Sequence, residues 1–265
     1  RRPDGVVVDT MAYDAAPGYD RSLCRAVDGT GVWTKNCFVT PGRANRLQPP
    51  REPAPAGPPT GGRAAAASQT IAAARQLPAD TRVTLVGTVT LPPGVRERII
   101  YIQDDSGGIK VYLRGGEYPP LALGDRVRVT GWTRDFHGEA ELSVPNASYL
   151  TRLDAGAGLL PDLVPTGLLG EAQEGRLVSV SGRVVRFERH AVVLDDGTGP
   201  AYIYFAADLG WSRPYVRLGE AWSATGLGGQ YAAEEPYHGG YQLLPRFAWD
   251  LSNAPLVLPV TGGGR

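Results

Sequence analysis

Apolar residues, many of them β-branched, fall in short runs bounded by Gly, Pro and Asp, and such runs predict strands rather than long helices. Gly5 to Tyr13 alternates from Val7 onward, and Ser22 to Arg25 follows as a second short strand before the turn Asp28-Gly-Thr-Gly. Further runs predict strands at Arg82 to Thr90, Arg98 to Gln103, Ile109 to Leu113, Asp125 to Thr133 and Glu139 to Val144, with an edge from Ser148 to Leu153. A second series predicts strands at Leu177 to Phe187, Ala191 to Leu194, Ala201 to Phe205, Glu220 to Leu227 and Tyr241 to Trp249. Helical signals are brief. Ser68 caps a helix over Gln69 to Gln76 that Pro78 stops, and Thr166 caps one near Gly167 to Ala172.

The two series are copies of one another. Gly87 and Gly182, Gly124 and Gly219, and Gly131 and Gly226 are each 95 positions apart. Asp104 and Asp195 are 91 apart, so the loop before that turn reads as four residues shorter in the second copy. One offset held over separate blocks marks a duplicated domain. Five strands in roughly 75 residues, the first long and broken by Gly, match a five-stranded Greek-key barrel of the OB type. Gly87 and Gly182 stand where that first strand bends to serve both halves of the barrel. The fold class expected is all-β: two tandem five-stranded OB-type barrels preceded by a partial Ig-like β segment. A pair of small sandwiches is the alternative.

The domain organisation follows. Residues 1–47 are too few to bury a core and read as the end of a β domain. Residues 48–67 are a Pro/Gly/Ala-rich spacer. Residues 68–153 and 166–253 are the barrels, joined by 154–165, and 254–265 form a closing linker. Leu159, Leu160, Leu163 and Val164 make the inter-barrel linker partly apolar, which predicts a packed, semi-rigid pair.

Composition adds turns, and charge weakens one class of function. The chain has 265 residues, with 35 Gly and 23 Pro, roughly a fifth of the whole against about 12% in average usage. Net charge is zero. Residues 79–153 carry nine basic and nine acidic side chains, 171–253 seven and ten, and 1–78 ten and six. Neither barrel has the basic surplus that phosphate binding normally needs. The two cysteines, Cys24 and Cys37, flank a Gly-rich turn and fit one disulfide in an oxidising compartment, or else two free thiols. No run of 18 apolar residues exists to span a membrane. Arg1 in place of an initiating Met reads as a cut edge.

Resemblance adds location. The segment "SQTIAAARQLPADTRVTLVGTVT" with "IYIQDDSGGIKVYL" and "LALGDRVRVTGW" resembles the OB-fold modules of secreted bacterial proteins, which occur beside extracellular nucleases and phosphoesterases. "GRLVSVSGRVVRF" with "VVLDDGTGPAYIYF" resembles a more divergent member of that set. Residues 5–47, ending "DGTGVWTKNCFVTPGRANR", resemble the last strands of a bacterial lamin-tail domain, an Ig-like sandwich. Leu258, Pro259, Val260, Thr261 and Gly262 match the sortase recognition pentapeptide, without the apolar span and basic tail of the full signal. An ordinary Pro/Gly linker is the plain alternative. The resemblance implies an extracellular or cell-surface protein with sortase as a partner.

Candidate chemistry is sparse. Asp104-Asp105 and Asp195-Asp196 have the makings of a Ca²⁺ or acid–base pair, but each precedes a Gly in a hairpin, where Asp bonds its own backbone. His137, His190 and His238 share no ligand spacing. No nucleophile elbow, zinc-protease helix, phosphate loop or dinucleotide fingerprint occurs, so no catalytic residue, metal or cofactor is expected. A ligand face in the first barrel would use Tyr101, Lys110, Tyr112, Arg114, Arg128, Trp132 and Arg134, with Arg98 and Phe136 near. The second offers Tyr202, Tyr204, Trp222 and Tyr231 with Arg183 and Arg186. The reading is a non-catalytic surface or secreted protein whose barrels are binding or spacer modules for an unknown extracellular ligand. The alternatives are a single-stranded nucleic-acid-binding accessory region of an extracellular nuclease, with the first barrel the better candidate, and a structural subunit of a surface layer or filament. A glycan is a comparable ligand, since OB faces also take oligosaccharides.

Overall fold

A computed structural model describes residues 22–27, 30–37, 69–156, 158–206, 209, 211 and 213–253, the first two stretches by their backbone only. The chain divides into two compact units, Arg1–Gly61 and Gly62–Arg265. In the first, β1 (Ser22–Val27) and β2 (Thr30–Cys37) form an antiparallel hairpin, with Cys37 opposite Ser22 and Cys24 opposite Thr34. The strand expected over Gly5 to Tyr13, the linker 48–67 and the Leu258–Gly262 pentapeptide lie outside the described residues, as do the side chains of Cys24 and Cys37 and hence their pairing.

In the second unit, α1 (Ile71–Arg75) leads into β3 (Arg82–Arg96), β4 (Ile99–Gln103), β5 (Gly108–Leu113), β6 (Asp125–Phe136), β7 (Glu139–Val144) and β8 (Leu150–Ala155). The helix is shorter than expected. Thr70 caps it, its Oγ1 accepting from Ala73 N–H at 3.3 Å, while Ser68 lies outside the described residues. The ladder runs β3–β4–β5–β7–β6 and returns to β3, so five strands close into a barrel. β5 and β7 are parallel and the other neighbours in the ring antiparallel. That strand order is the OB type. β3 is shared by both halves. Its residues Arg82 to Thr88 pair with β6, and Thr88 to Arg96 with β4. Gly87 stands one residue before this handover, where a Cβ would press on the Gln103 carbonyl.

The second copy repeats the ring with β10 (Leu177–Glu188), β11 (Ala191–Asp195), β12 (Pro200–Tyr204), β13 (Ala221–Gln230) and β14 (Tyr241–Leu244), after a short edge strand β9 (Asp162–Leu163). β12 and β14 meet in parallel at one position, Ile203 with Leu243. β10 changes partner from β13 to β11 at Arg183, the position 95 beyond Thr88. The last strand is shorter than expected. It stops at Leu244, and a single turn, Ala248–Asp250, precedes β15 (Leu251–Ser252).

Each barrel is filled by one row of alternating side chains, Val83, Leu85, Ile100, Ile102, Val111, Val127 and Leu142 in the first, Val178, Val180, Val192, Leu194, Ile203 and Leu243 in the second. Ile71 and Ala74, both fully buried, plug the first barrel. The counterpart of Ile71 is Thr166, also fully buried, and the expected second helix is instead two single turns, Thr166–Leu168 and Glu171–Gln173. Gly167 and Gly170 stand where the first copy has Ala72 and Arg75, and Gly costs about 1 kcal/mol relative to Ala inside a helix. Thr166 is therefore no cap. Its own N–H is capped by Asp196 Oδ2 at 3.1 Å.

The hairpin register corrects one further expectation. Gln103 pairs with Gly108, and Asp195 with Pro200. The equivalent of Asp104 is thus Asp196, an offset of 92, and the loop is three residues shorter rather than four.

Candidate ligand site at the barrel joint

The outer face of β4 and β5, the OB face that takes ligands in this fold class, is not open in the first barrel. The β13–β14 hairpin of the second barrel lies against it. Leu91, Tyr101, Leu227 and Leu244 form a buried cluster there, flanked by Val95, Ile99 and Tyr204. Backbone groups at this buried joint need partners, and both barrels supply them. Leu177 N–H donates to Gln103 Oε1 at 2.7 Å, Ala140 N–H to Glu174 Oε1 at 2.8 Å, and Ala232 N–H to His137 O at 2.8 Å. Arg246, only 3% exposed, is held by Asp250 and donates to Thr90 O at 3.0 Å. Gly108 and Gly175 touch backbone to backbone, and a Cβ on either would overlap the other's carbonyl group.

Glu139 sits at the floor of the joint, buried. Its Oε1 accepts from the Tyr101 hydroxyl at 2.7 Å and its Oε2 from Lys110 Nζ at 2.8 Å. Lys110 Nζ also lies 3.4 Å from Glu141 and 4.4 Å from the centre of the Phe136 ring. Two carboxylates and one ring therefore share a single ammonium. Burial, then the Glu139 charge, pushes the Tyr101 hydroxyl well above its usual value, and burial raises the Glu141 carboxyl.

The seven residues expected to form one ligand face thus divide. Tyr101 and Lys110 are 1% and 4% exposed and are spent on the joint. They lie on the outer face as the strand alternation requires, but that face meets the second barrel and not solvent. Tyr112 and Trp132 flank Ser143 on adjacent strands. Trp132 is itself packed, with Tyr149 at 5.8 Å and the Arg82 guanidinium at 5.7 Å. Arg134 pairs with Asp80 at 2.8 Å. Arg114 and Arg128 are exposed. In the second barrel Trp222 turns to the core and donates to Glu220 Oε2 at 3.1 Å.

Beside the joint a cleft of about 470 Å³ stays open, lined by Arg96, Tyr101, Lys110, Phe136 and Glu139 from one barrel and Tyr204, Gln230, Tyr231, Gln242 and Leu244 from the other. His137 and Gly138 both have positive φ, the tight turn that brings β6 back into β7. This places the His137 ring on Tyr231, stacked at 4.5 Å, with Phe136 at 4.9 Å and Tyr237 at 5.4 Å from the same imidazole. The Gln230 amide nitrogen donates to Tyr237 O and Gly239 O, both at 2.9 Å. Its Oε1 is buried and has no partner among the described residues.

The row of rings continues onto the outer face of β12. Tyr202 and Tyr204 are two residues apart and so share a face. Cross-strand rows run Arg186–Val193–Tyr202 and Glu188–Ala191–Tyr204. The Arg186 guanidinium lies 5.5 Å from the Tyr202 ring centre and donates to its hydroxyl, spanning Val193. His190 meets Tyr204 edge-on at 6.3 Å.

The Asp pairs serve turns. Asp104 Oδ1 accepts from Ser106 and Gly107 N–H, and Oδ2 from Ile71 N–H at 2.9 Å. Asp196 accepts from Thr198 and Thr166 in the same way. Burial works against its charge, but these four side-chain and backbone bonds hold its carboxyl down at about 2. Among the described residues no three His, Cys, Asp or Glu converge as a metal site would.

Two closed barrels of one strand order, locked face to hairpin, define an all-β tandem OB-type chain. No protein-family model matches it, and no curated protein does. Solved structures similar to it include a HINb domain (13% identity over 62% of this chain and 91% of that one, TM-score 0.30). Another is a replication protein A heterotrimer bound to single-stranded DNA (13% identity, 64% of this chain and 48% of that one, TM-score 0.28). A third is a multidomain protein with nucleic acid binding domains from Streptococcus pneumoniae (14% identity, 63% and 46%, TM-score 0.19). At such TM-scores these likenesses leave the ligand of this chain open.

Proposed function

We propose that the chain is a non-catalytic binding module that holds single-stranded nucleic acid along the outer face of β12 and into the cleft. The observation that carries this is the run of rings, the half-buried Tyr202 and Tyr204 two residues apart and then the exposed Tyr231 and Phe136, with the Arg186 guanidinium over the first. Bases stack on successive aromatics without regard to sequence, each worth about 1–3 kcal/mol. The second barrel, with the hairpin it lends to the joint, is then the main binding element. The first barrel, the better candidate by sequence, is the poorer one here, because its Tyr101 and Lys110 are occupied.

Charge sets the strength. Arg183 and Arg186 flank the track, and Glu188 lies 2.9 Å from Arg186 and offsets part of its charge. With about two phosphates neutralised, affinity should fall only shallowly with salt, the logarithmic slope being roughly −1.4 for single strands. Fluorescence anisotropy of a labelled strand of about 12 nucleotides tests the proposal. Binding at low salt that weakens by about fivefold or more in Tyr202→Ala supports it. An unchanged anisotropy at low salt overturns it.

The extracellular placement, and display by sortase, are part of the same proposal. They rest on the Leu258–Gly262 pentapeptide and on the pair Cys24 and Cys37 as a disulfide. Mass spectrometry of the intact chain with and without reductant reads the latter directly, the oxidised form being two mass units lighter by about one hydrogen per thiol.

A further inference from the structure

We propose that the cleft at the joint takes one unstacked base bearing an exocyclic amino group, an inference that rests on the strand-binding reading above. Three observations carry it. The first is size: about 470 Å³ lies within the range of small-molecule sites and admits one nucleoside rather than a stack.

The second is the rings. Phe136 and Tyr231 are 49% and 51% exposed although both line a concave site. His137 covers one face of Tyr231 and leaves the other for a base.

The third is the imbalance of hydrogen-bonding groups. Gln230 is 4% exposed, and its amide nitrogen is held by two carbonyls, which fixes the amide with Oε1 as a buried acceptor lacking a partner. Glu139 adds a carboxylate to the floor, and Lys110 beside it is already shared by two carboxylates. Both Glu139 oxygens already accept, so the Gln230 oxygen is the unfilled acceptor of the lining, and it favours a ligand that brings an N–H donor, since an unmade bond to a buried acceptor is costly. Adenine, cytosine and guanine each carry an amino group. Thymine and uracil have no amino group and offer only the ring N3–H, flanked by two carbonyl oxygens.

Anisotropy titrations of dA, dC and dT strands of equal length, with Tyr231→Ala beside the wild type, test this. The proposal expects dA and dC to bind about fivefold tighter than dT, the worth of one hydrogen bond. It expects Tyr231→Ala to weaken all three strands, as loss of a stacking ring requires, and to weaken dA and dC more than dT so that the preference shrinks. Equal affinity for all three strands overturns the base selection and leaves the strand reading standing. Failure of all three to bind overturns both. Adenosine that displaces a dA strand at a comparable concentration assigns the cleft to a free nucleoside and overturns the strand as its source.

Discussion

Lys110 is where residue-level electrostatics decides most. Its buried ammonium, 4% exposed, serves Glu139 and Glu141, so removing it strands a buried charge. Breaking a buried pair by losing one partner costs about 3–5 kcal/mol, while replacing both by apolar groups is often neutral. Lys110→Met should therefore lower stability by about that much in urea denaturation, and Lys110→Met with Glu139→Leu should recover only part of it, because the buried Tyr101 hydroxyl loses its acceptor and Glu141 its ammonium. The alternation of β5 was legible in the sequence: Ile109 and Val111 point inward, so Lys110 and Tyr112 point outward. What an outward side chain meets was not legible. A second barrel covers Lys110 and leaves Tyr112 half-exposed, and no local pattern on β5 distinguishes them. Gln230 gave no signal either, since its buried acceptor exists only once the 231–240 loop folds back on it.

At the scale of elements, the turn carrying Glu171 to Gly175 works as a clamp. Arg75 of α1 reaches across to Glu171 at 2.7 Å and Glu174 at 3.1 Å, and Glu174 also takes the Ala140 N–H. Burial raises the Glu174 carboxyl to about 7 from its ordinary 4.5, outweighing the pull of Arg75 and the Ala140 bond in the other direction. Between those values the folded chain keeps a proton that the unfolded chain has released. Its contribution to stability is thus full below about 4.5 and is lost as pH rises through about 7. Thermal melting from pH 5 to 8 should show stability falling across that window, and Glu174→Gln should flatten the fall. A Glu174→Gln profile parallel to the wild type would assign the titration to another group. The offset of 95 made the paired elements readable from glycines alone. The turn register differs by one residue from the one the sequence predicts, because two adjacent aspartates in each copy give the sequence no way to choose between them. Capping from a distance settles it: Asp104 and Asp196 each bond the N–H of a residue more than 25 positions away.

For the molecule as a whole, the consequence of duplication is a site that neither copy makes alone. The barrels pack, as the partly apolar linker led one to expect, but not through its leucines: Leu163, in β9 beside β10, and Leu160 both stay exposed, and the buried joint is made by Leu91, Tyr101, Leu227 and Leu244. Which faces would meet was beyond the reach of composition or period. Contact depends on Gly108 and Gly175 allowing two backbones to touch, and on Arg246 finding a carbonyl 156 residues away. The first barrel gives up its own ligand face and in exchange supplies one wall of the cleft. Hydrogen–deuterium exchange of the full chain, with and without a saturating dC strand, tests this most directly. Binding at the joint should slow exchange in β12, in 228–242 and around 136–139, leaving the outer face near Arg128 unchanged. Protection centred on Arg128 and Trp132 instead, or no protection in either barrel, would contradict it.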